Sequence, residues 1–138
     1  MLLLRPLAAV GLVAWQAYAC GGGNGEERRA PEEHATELAA EVRRRTIPSG
    51  TLGITTSRTD APACRIGREW VFVVVKSRAE YVEWASAQLA PDFQLLAGSG
   101  ERLVFSRYER GDAQSVTLES RASSDGTRVR VILCVFPD

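Results

Sequence analysis

Three cysteines (Cys20, Cys64 and Cys134), the single histidine His34, and three arginines near the C-terminus (Arg121, Arg128 and Arg130) are the side chains of this 138-residue chain whose chemistry could reach beyond folding. Cys64 and Cys134 stand about seventy residues apart, and with one remote imidazole they have no zinc-ligand spacing. There is no Cys-x-x-Cys pair of the kind a redox-active bridge uses. His34 lies among Glu32, Glu33 and Glu37, with too few imidazoles for a metal and no nucleophile to activate, so it reads as a solvated side chain. No nucleophile elbow, glycine-rich phosphate loop or pair of acids is present, so no catalytic residue, metal or cofactor is assigned. The arginines are different, because guanidinium forks bind carboxylates and phosphates bidentately. Arg121, Arg128 and Arg130 therefore form a candidate anion-binding patch for a phosphate, a carboxylate polymer or an acidic partner segment. The plainer alternative is a solvated sheet face whose mutual repulsion is screened over about 8 Å in physiological salt.

What could bring such groups to a partner is set at the other end of the chain. Arg5 precedes an apolar run from Leu7 to Trp15, followed by Ala17-Tyr18-Ala19-Cys20 and the glycine run Gly21-Gly22-Gly23-Asn24-Gly25. A basic start, an apolar stretch too short to span a bilayer and small residues at the cut describe a removable export signal over residues 1–19. With Cys20 directly after Ala19, the segment resembles a bacterial lipoprotein signal, in which cleavage precedes a cysteine that carries diacylglycerol. The resemblance covers residues 1–25 and implies lipidation of Cys20. With Gly21 rather than Asp after the cysteine, it implies the outer membrane if the cell is Gram-negative, and otherwise a cell-surface lipoprotein. Ala17-Tyr18-Ala19 also suits ordinary signal peptidase, which would leave a soluble periplasmic or secreted protein with Cys20 as its first residue. Residues 20–30 read as a flexible tether letting a domain float about 15–20 Å from a lipid surface. If Cys20 carries lipid, Cys64 and Cys134 remain as a pair, and an exported chain is where disulfides form.

The mature chain, about 120 residues, suffices for one domain, expected over residues 31–138. Its 17 basic and 17 acidic residues nearly balance, which argues against bulk nucleic-acid binding. Lys76 is the only lysine.

Residues 31–46 read as a helix: Pro31 sits in the first turn, Glu32, Glu33 and Glu37 come early, and Arg43, Arg44 and Arg45 come late to complement the macrodipole. With Arg28 and Arg29, that triplet could also touch anionic headgroups. The apolar stripe of Ala35, Leu38, Ala39 and Val42 is thin, so this helix is expected to dock loosely. Residues 51–56 suggest a short strand and 57–68 a polar loop. The β-branched and aromatic run from Trp70 to Val75 predicts a central strand covered on both faces. Ser77 and Glu80 form a capping box opening a helix that buries Tyr81, Val82, Ala85 and Leu89, is flanked by Trp84 and stops at Pro91.

From Phe93 onward the period becomes two, with strands separated by Gly98-Ser99-Gly100, Arg110-Gly111 and Asp125-Gly126. Taking Arg110-Gly111 as a two-residue turn pairs Phe105 with Val116, Leu103 with Leu118 and Arg102 with Glu119. Taking Asp125-Gly126 likewise pairs Ser120 with Val131, Leu118 with Leu133, Val116 with Val135 and, on the outer face, Arg121 with Arg130. Both turns select the same inner face. Cys134 and Phe136 then fall outside, beside Thr117 and Ser115, and a disulfide would draw the 57–68 loop across that surface. The expected fold is α+β: an antiparallel sheet of five or six strands ending in a meander, with the Ser77–Ala90 helix on one face and a looser N-terminal helix.

Together these features predict a small cell-envelope lipoprotein that binds or scaffolds without catalysis, with the bilayer and an envelope protein or acidic polymer as partners. Two other classes stay open. One is an inhibitor or immunity-type protein of an envelope enzyme, acting through an exposed patch around Phe136 or Tyr108. The other is a small hydrolase with a noncontiguous site.

Overall fold

The computed structural model describes residues 33–59, 64–109 and 111–136. The signal (1–19), the tether (20–30) with Cys20, Arg28 and Arg29, the start of the first helix at Pro31 and residues 60–63 of the polar loop lie outside the described residues. The chain divides into two units, Met1–Glu37 and Leu38–Asp138, and the sheet belongs wholly to the second. Among the described residues, no helix is long and apolar enough to cross a membrane.

Six strands form one antiparallel sheet: β1 (Thr55–Ser57), β2 (Ile66–Val74), β3 (Gln94–Ser99), β4 (Arg102–Glu109), β5 (Asp112–Ser123) and β6 (Gly126–Val135). Their order is β1-β2-β6-β5-β4-β3, so β3 to β6 are the expected meander, while β2 closes on β6 from across the sheet. One helix, α1, covers residues 33–46, and the second, α2 (Arg78–Leu89), connects β2 to β3. The fold class is α+β. The edges differ from the interior: β1 has three residues where the sequence suggests six, and β3 is interrupted by a bulge between Leu95 and Ala97.

The strand expected from Trp70 begins four residues earlier, at Ile66, and its expected stretch is covered by the core on one face only. Trp70, Phe72 and Val74 are buried, whereas Val73 is 42% and Val75 94% exposed. The continuous β-branched run has another cause. Val71 and Val73 lie beside Arg130 and Arg128 of β6, whose aliphatic stems can share apolar surface with the valines while their heads stay in water.

On the inner face, α2 contributes Tyr81, Ala85 and Leu89 to a core with Phe72, Phe93, Phe105, Val116, Leu118, Val129, Val131 and Leu133. The Ser77 half of the expected capping box forms: Ser77 Oγ accepts from the Glu80 amide at 3.2 Å, while the Glu80 carboxylate accepts from the Ser77 hydroxyl at 3.1 Å. The helix from residue 38 onward is not loose, contrary to the thin-stripe expectation. Leu38 and Val42 are buried in the same core, and the buried Tyr81 hydroxyl donates to the Thr46 carbonyl at 2.6 Å. Burial raises the Tyr81 phenol far above its usual pKa, so it stays protonated and keeps the proton it donates to Thr46. Arg107 completes the lock. It donates to both oxygens of Glu41 (3.1 and 3.3 Å) and to Gln114 (3.0 Å), and stacks 4.2 Å over Phe93. Arg45 joins Glu41 to Asp92 after α2.

The long β5–β6 hairpin has a different register from the one expected. Ser123 pairs with Gly126, making Ser124 and Asp125 the turn, and the ladder runs Ser120 to Val129, Leu118 to Val131 and Val116 to Leu133. Gly126 is not a turn residue. Its φ is 135° and a Cβ there would stand 2.0 Å from the Val74 carbonyl oxygen, so glycine is required where the ends of β2 and β6 meet. The displacement is two residues, which preserves the inner face. The β4–β5 register matches expectation, with Phe105 on Val116, Leu103 on Leu118 and Arg102 on Glu119.

Cys64 and Cys134 form a disulfide with Cα atoms 5.2 Å apart, on the outer face. There Thr59 folds back over Gly67, the residue paired with Cys134: its amide donates to the Gly67 carbonyl, and its methyl stands where a Gly67 side chain would be. The bond closes a loop of 70 residues. Cys64→Ser/Cys134→Ser is expected to lower unfolding free energy by about 4 kcal/mol, the chain-entropy value for such a loop, read as a shift in urea midpoint against the oxidised wild type. Gly126→Ala, forced into both strain and collision, should cost about 2–4 kcal/mol in the same assay, whereas Gly111→Ala, with open space around its Cβ position, should cost less.

Candidate functional site

α2 and the helical residues from Leu38 onward pack on one face of the sheet, and among the described residues the opposite face carries no helix. Alternation assigns its side chains: Glu69, Val71 and Val73 from β2; Arg128, Arg130, Ile132 and Cys134 from β6; Ala113, Ser115, Thr117, Glu119 and Arg121 from β5; and Arg102, Val104, Ser106 and Tyr108 from β4.

The three candidate arginines are not equivalent. Arg130, expected opposite Arg121, stands instead opposite Glu119. It hydrogen-bonds Glu69 and reaches Glu119 at 3.3 Å, and Glu119 is shared with Arg102 at 3.5 Å. The result is an alternating row, Glu69–Arg130–Glu119–Arg102, across four strands. The Glu69 hydrogen bond, reinforced by the charges of Glu69 and Glu119, raises the Arg130 pKa further, so its charge is permanent and already matched. Arg121 pairs directly with Arg128 in the ladder. Arg121 reaches Glu101 only at 3.7 Å with both side chains well exposed, a contact worth about 0–1 kcal/mol. Arg128 has no carboxylate partner among the described residues. Like charges facing each other across a strand pair oppose folding locally, so Arg121 and Arg128 are the pair that gains most from a bound anion. They border a groove of about 470 Å³ that Arg102 also lines.

A second groove, of about 720 Å³, continues from Arg102 toward the other end of the face. Its floor carries Ser106, Ser115 and Thr117, with Ser106 directly paired to Ser115. These hydroxyls have no hydrogen-bond partner among the described residues. Tyr108, 75% exposed, and Phe136 stand at the far end, on either side of Ala113: Tyr108 pairs with Ala113, whose carbonyl accepts from the Phe136 amide at 2.9 Å. Cys134 lies beside Ser115, and Thr117 beside Ile132, each two residues from the expected neighbour.

Among the described residues there is no cluster of histidine, cysteine, aspartate or glutamate suited to a metal. Glu69 and Glu101 are the site residues that local reading misses. Glu69 comes from a strand more than sixty positions away in sequence from Arg130, and Glu101 lies in the turn between β3 and β4, outside the strand pattern. No protein-family model, curated protein or solved structure matches this chain.

The differing environments of the arginines separate two substitutions. Arg128→Ala should weaken binding of a polyanion such as polyglutamate about tenfold at low salt, while Arg130→Ala, which frees Glu69 and Glu119 as well as removing a cation, should act mainly by adding negative potential and respond more steeply to salt. Fluorescence anisotropy at two ionic strengths distinguishes them. Equal losses with equal salt slopes would contradict the pairing described.

Proposed function

We infer that this protein is a cell-envelope binding module: a non-catalytic domain exported by residues 1–19, anchored through lipidated Cys20, and held on the 20–30 tether so that its open sheet face meets a partner. The observation that carries the reading is the Cys64–Cys134 bond. It accounts for two of the three thiols, so Cys20 has no intrachain partner left and stands directly after a signal-like segment. The bond also suits an oxidising compartment, where it pins the border of the open face to β6. Arg121 and Arg128 are the anion-recognising part of that face, and an acidic envelope polymer or protein segment is the partner class they suit.

Intact mass of the protein taken from its native membrane tests this reading. The expected species begins at Cys20, carries a diacylglycerol and lacks two hydrogens for the disulfide. Cys20→Ser should move the protein from the membrane to the soluble fraction. A chain retaining residues 1–19, or one in which Cys64 and Cys134 react with an alkylating agent before reduction, would overturn it.

A further inference from the structure

We propose that the open sheet face is a binding groove for an extended carboxylated glycan, with a sugar ring held between Tyr108 and Phe136 and an acidic group at Arg121 and Arg128. The proposal deepens the binding-module reading above and rests on it for the location of the ligand, but not for its chemistry.

The first support is the aromatic slot. Tyr108 and Phe136 occupy positions on either side of Ala113, so their Cα atoms are two strand spacings, about 10 Å, apart. The smallest chiral side chain forms the floor between two rings, leaving a gap suited to a flat apolar body. A pyranose presents its C–H groups as such a body. Both rings line the 720 Å³ groove.

The second support is the floor. Ser106, Ser115 and Thr117 present three adjacent hydroxyls with no partner among the described residues, although Ser115 and Thr117 are only 9% and 7% exposed. Their oxygens are not among the buried unpartnered polar atoms, so they open onto the groove and can bond a ligand there. A ligand rich in hydroxyls, each both donor and acceptor, matches rotatable hydroxyls better than one whose polar groups are fixed.

The third support is continuity. Arg102 lines both grooves, so the aromatic slot and the arginine pair are two ends of one surface. From Ala113 to Arg121 along β5 is eight residues, about 27 Å at the usual strand rise. A single sugar cannot reach both ends; an oligosaccharide can. An acidic peptide would satisfy the arginines equally, but here it would meet the face of a sheet whose backbone groups are engaged in the ladders of neighbouring strands, so it could not add as a strand. The side chains that remain are hydroxyls and rings, which favours the glycan.

The test uses the full processed chain in detergent and three probes: a hexasaccharide of uronic acid units, a neutral hexasaccharide of β-linked glucose, and polyglutamate. Calorimetric titration should show the uronate hexamer binding at least tenfold tighter than either of the others. Tyr108→Ala should weaken uronate binding about tenfold and leave polyglutamate unchanged, with the thermal midpoint unaltered because the ring is exposed. Arg128→Ala should weaken uronate and polyglutamate alike. Thr117→Val, which keeps shape and removes the hydroxyl, should weaken the uronate alone. Polyglutamate binding as tightly as the uronate, or an unchanged uronate affinity in Tyr108→Ala, would overturn the glycan assignment while leaving the binding-module reading intact. If none of the probes binds, the glycan assignment fails, whereas loss of Cys20 acylation or of export in the native cell would instead remove the binding-module reading.

Discussion

The alternation of side chains along β5 and β6 is the constraint on which this structure depends. Val116 and Leu118 on one strand and Val129, Val131, Leu133 and Val135 on the other all point the same way and are essentially fully buried. Two strands of this length commit one whole face to the core. α2 and the helical residues from Leu38 onward must then lie on that face, where their apolar groups join this core. Everything polar on the intervening positions is driven to the opposite face by the same geometry. The arginines, hydroxyls and rings of the outer surface are therefore gathered there by the requirements of the core, whatever their role.

Two kinds of fastening hold the layers. On the inner side, Arg107 is a hub whose guanidinium meets Glu41 of α1, Gln114 of β5 and the ring of Phe93, so one side chain joins a helix to two points of the sheet. A largely buried charge of this kind is costly to leave unpaired, which makes the cluster intolerant of losing any one member. On the outer side, the Cys64–Cys134 bond ties the approach to β2 onto β6, and from the next residue along, Arg65, an ion pair at 2.7 Å reaches Asp112 at the start of β5. The inner fastening works through hydrogen bonds and the outer one through a covalent link, and together they hold β2, β5 and β6 from both sides.

Much of this was legible in the residues, and the parts that were not have definite causes. Period-two hydrophobicity identified the inner face of the meander because every even displacement of register leaves it unchanged, and for the same reason it could not distinguish Arg121 facing Arg130 from Arg121 facing Arg128. The glycine at 126 misled because its positive φ fits a hairpin turn, whereas its place is dictated by the Val74 carbonyl, a group from another strand. The capping box at Ser77 and Glu80 and the pairing of Arg102 with Glu119 were readable because their partners are local or set by one short turn. Glu69 was invisible as the partner of Arg130 because β2 joins β6 only after the chain has crossed the sheet. The firm seating of Leu38 and Val42 was hidden in the same way: a stripe of few large residues says little about area, and the charges that lock it come from Arg107 and Asp92, far along the chain.

The margins of the sheet carry a consequence for a protein crowded among copies of itself. A continuous border of unsatisfied amides and carbonyls would invite one molecule to zip onto the next. Here one border is a three-residue strand and the other is broken by the irregularity at Leu95 and Ala97. Neither offers a long, even template onto which a strand of a second copy could pair.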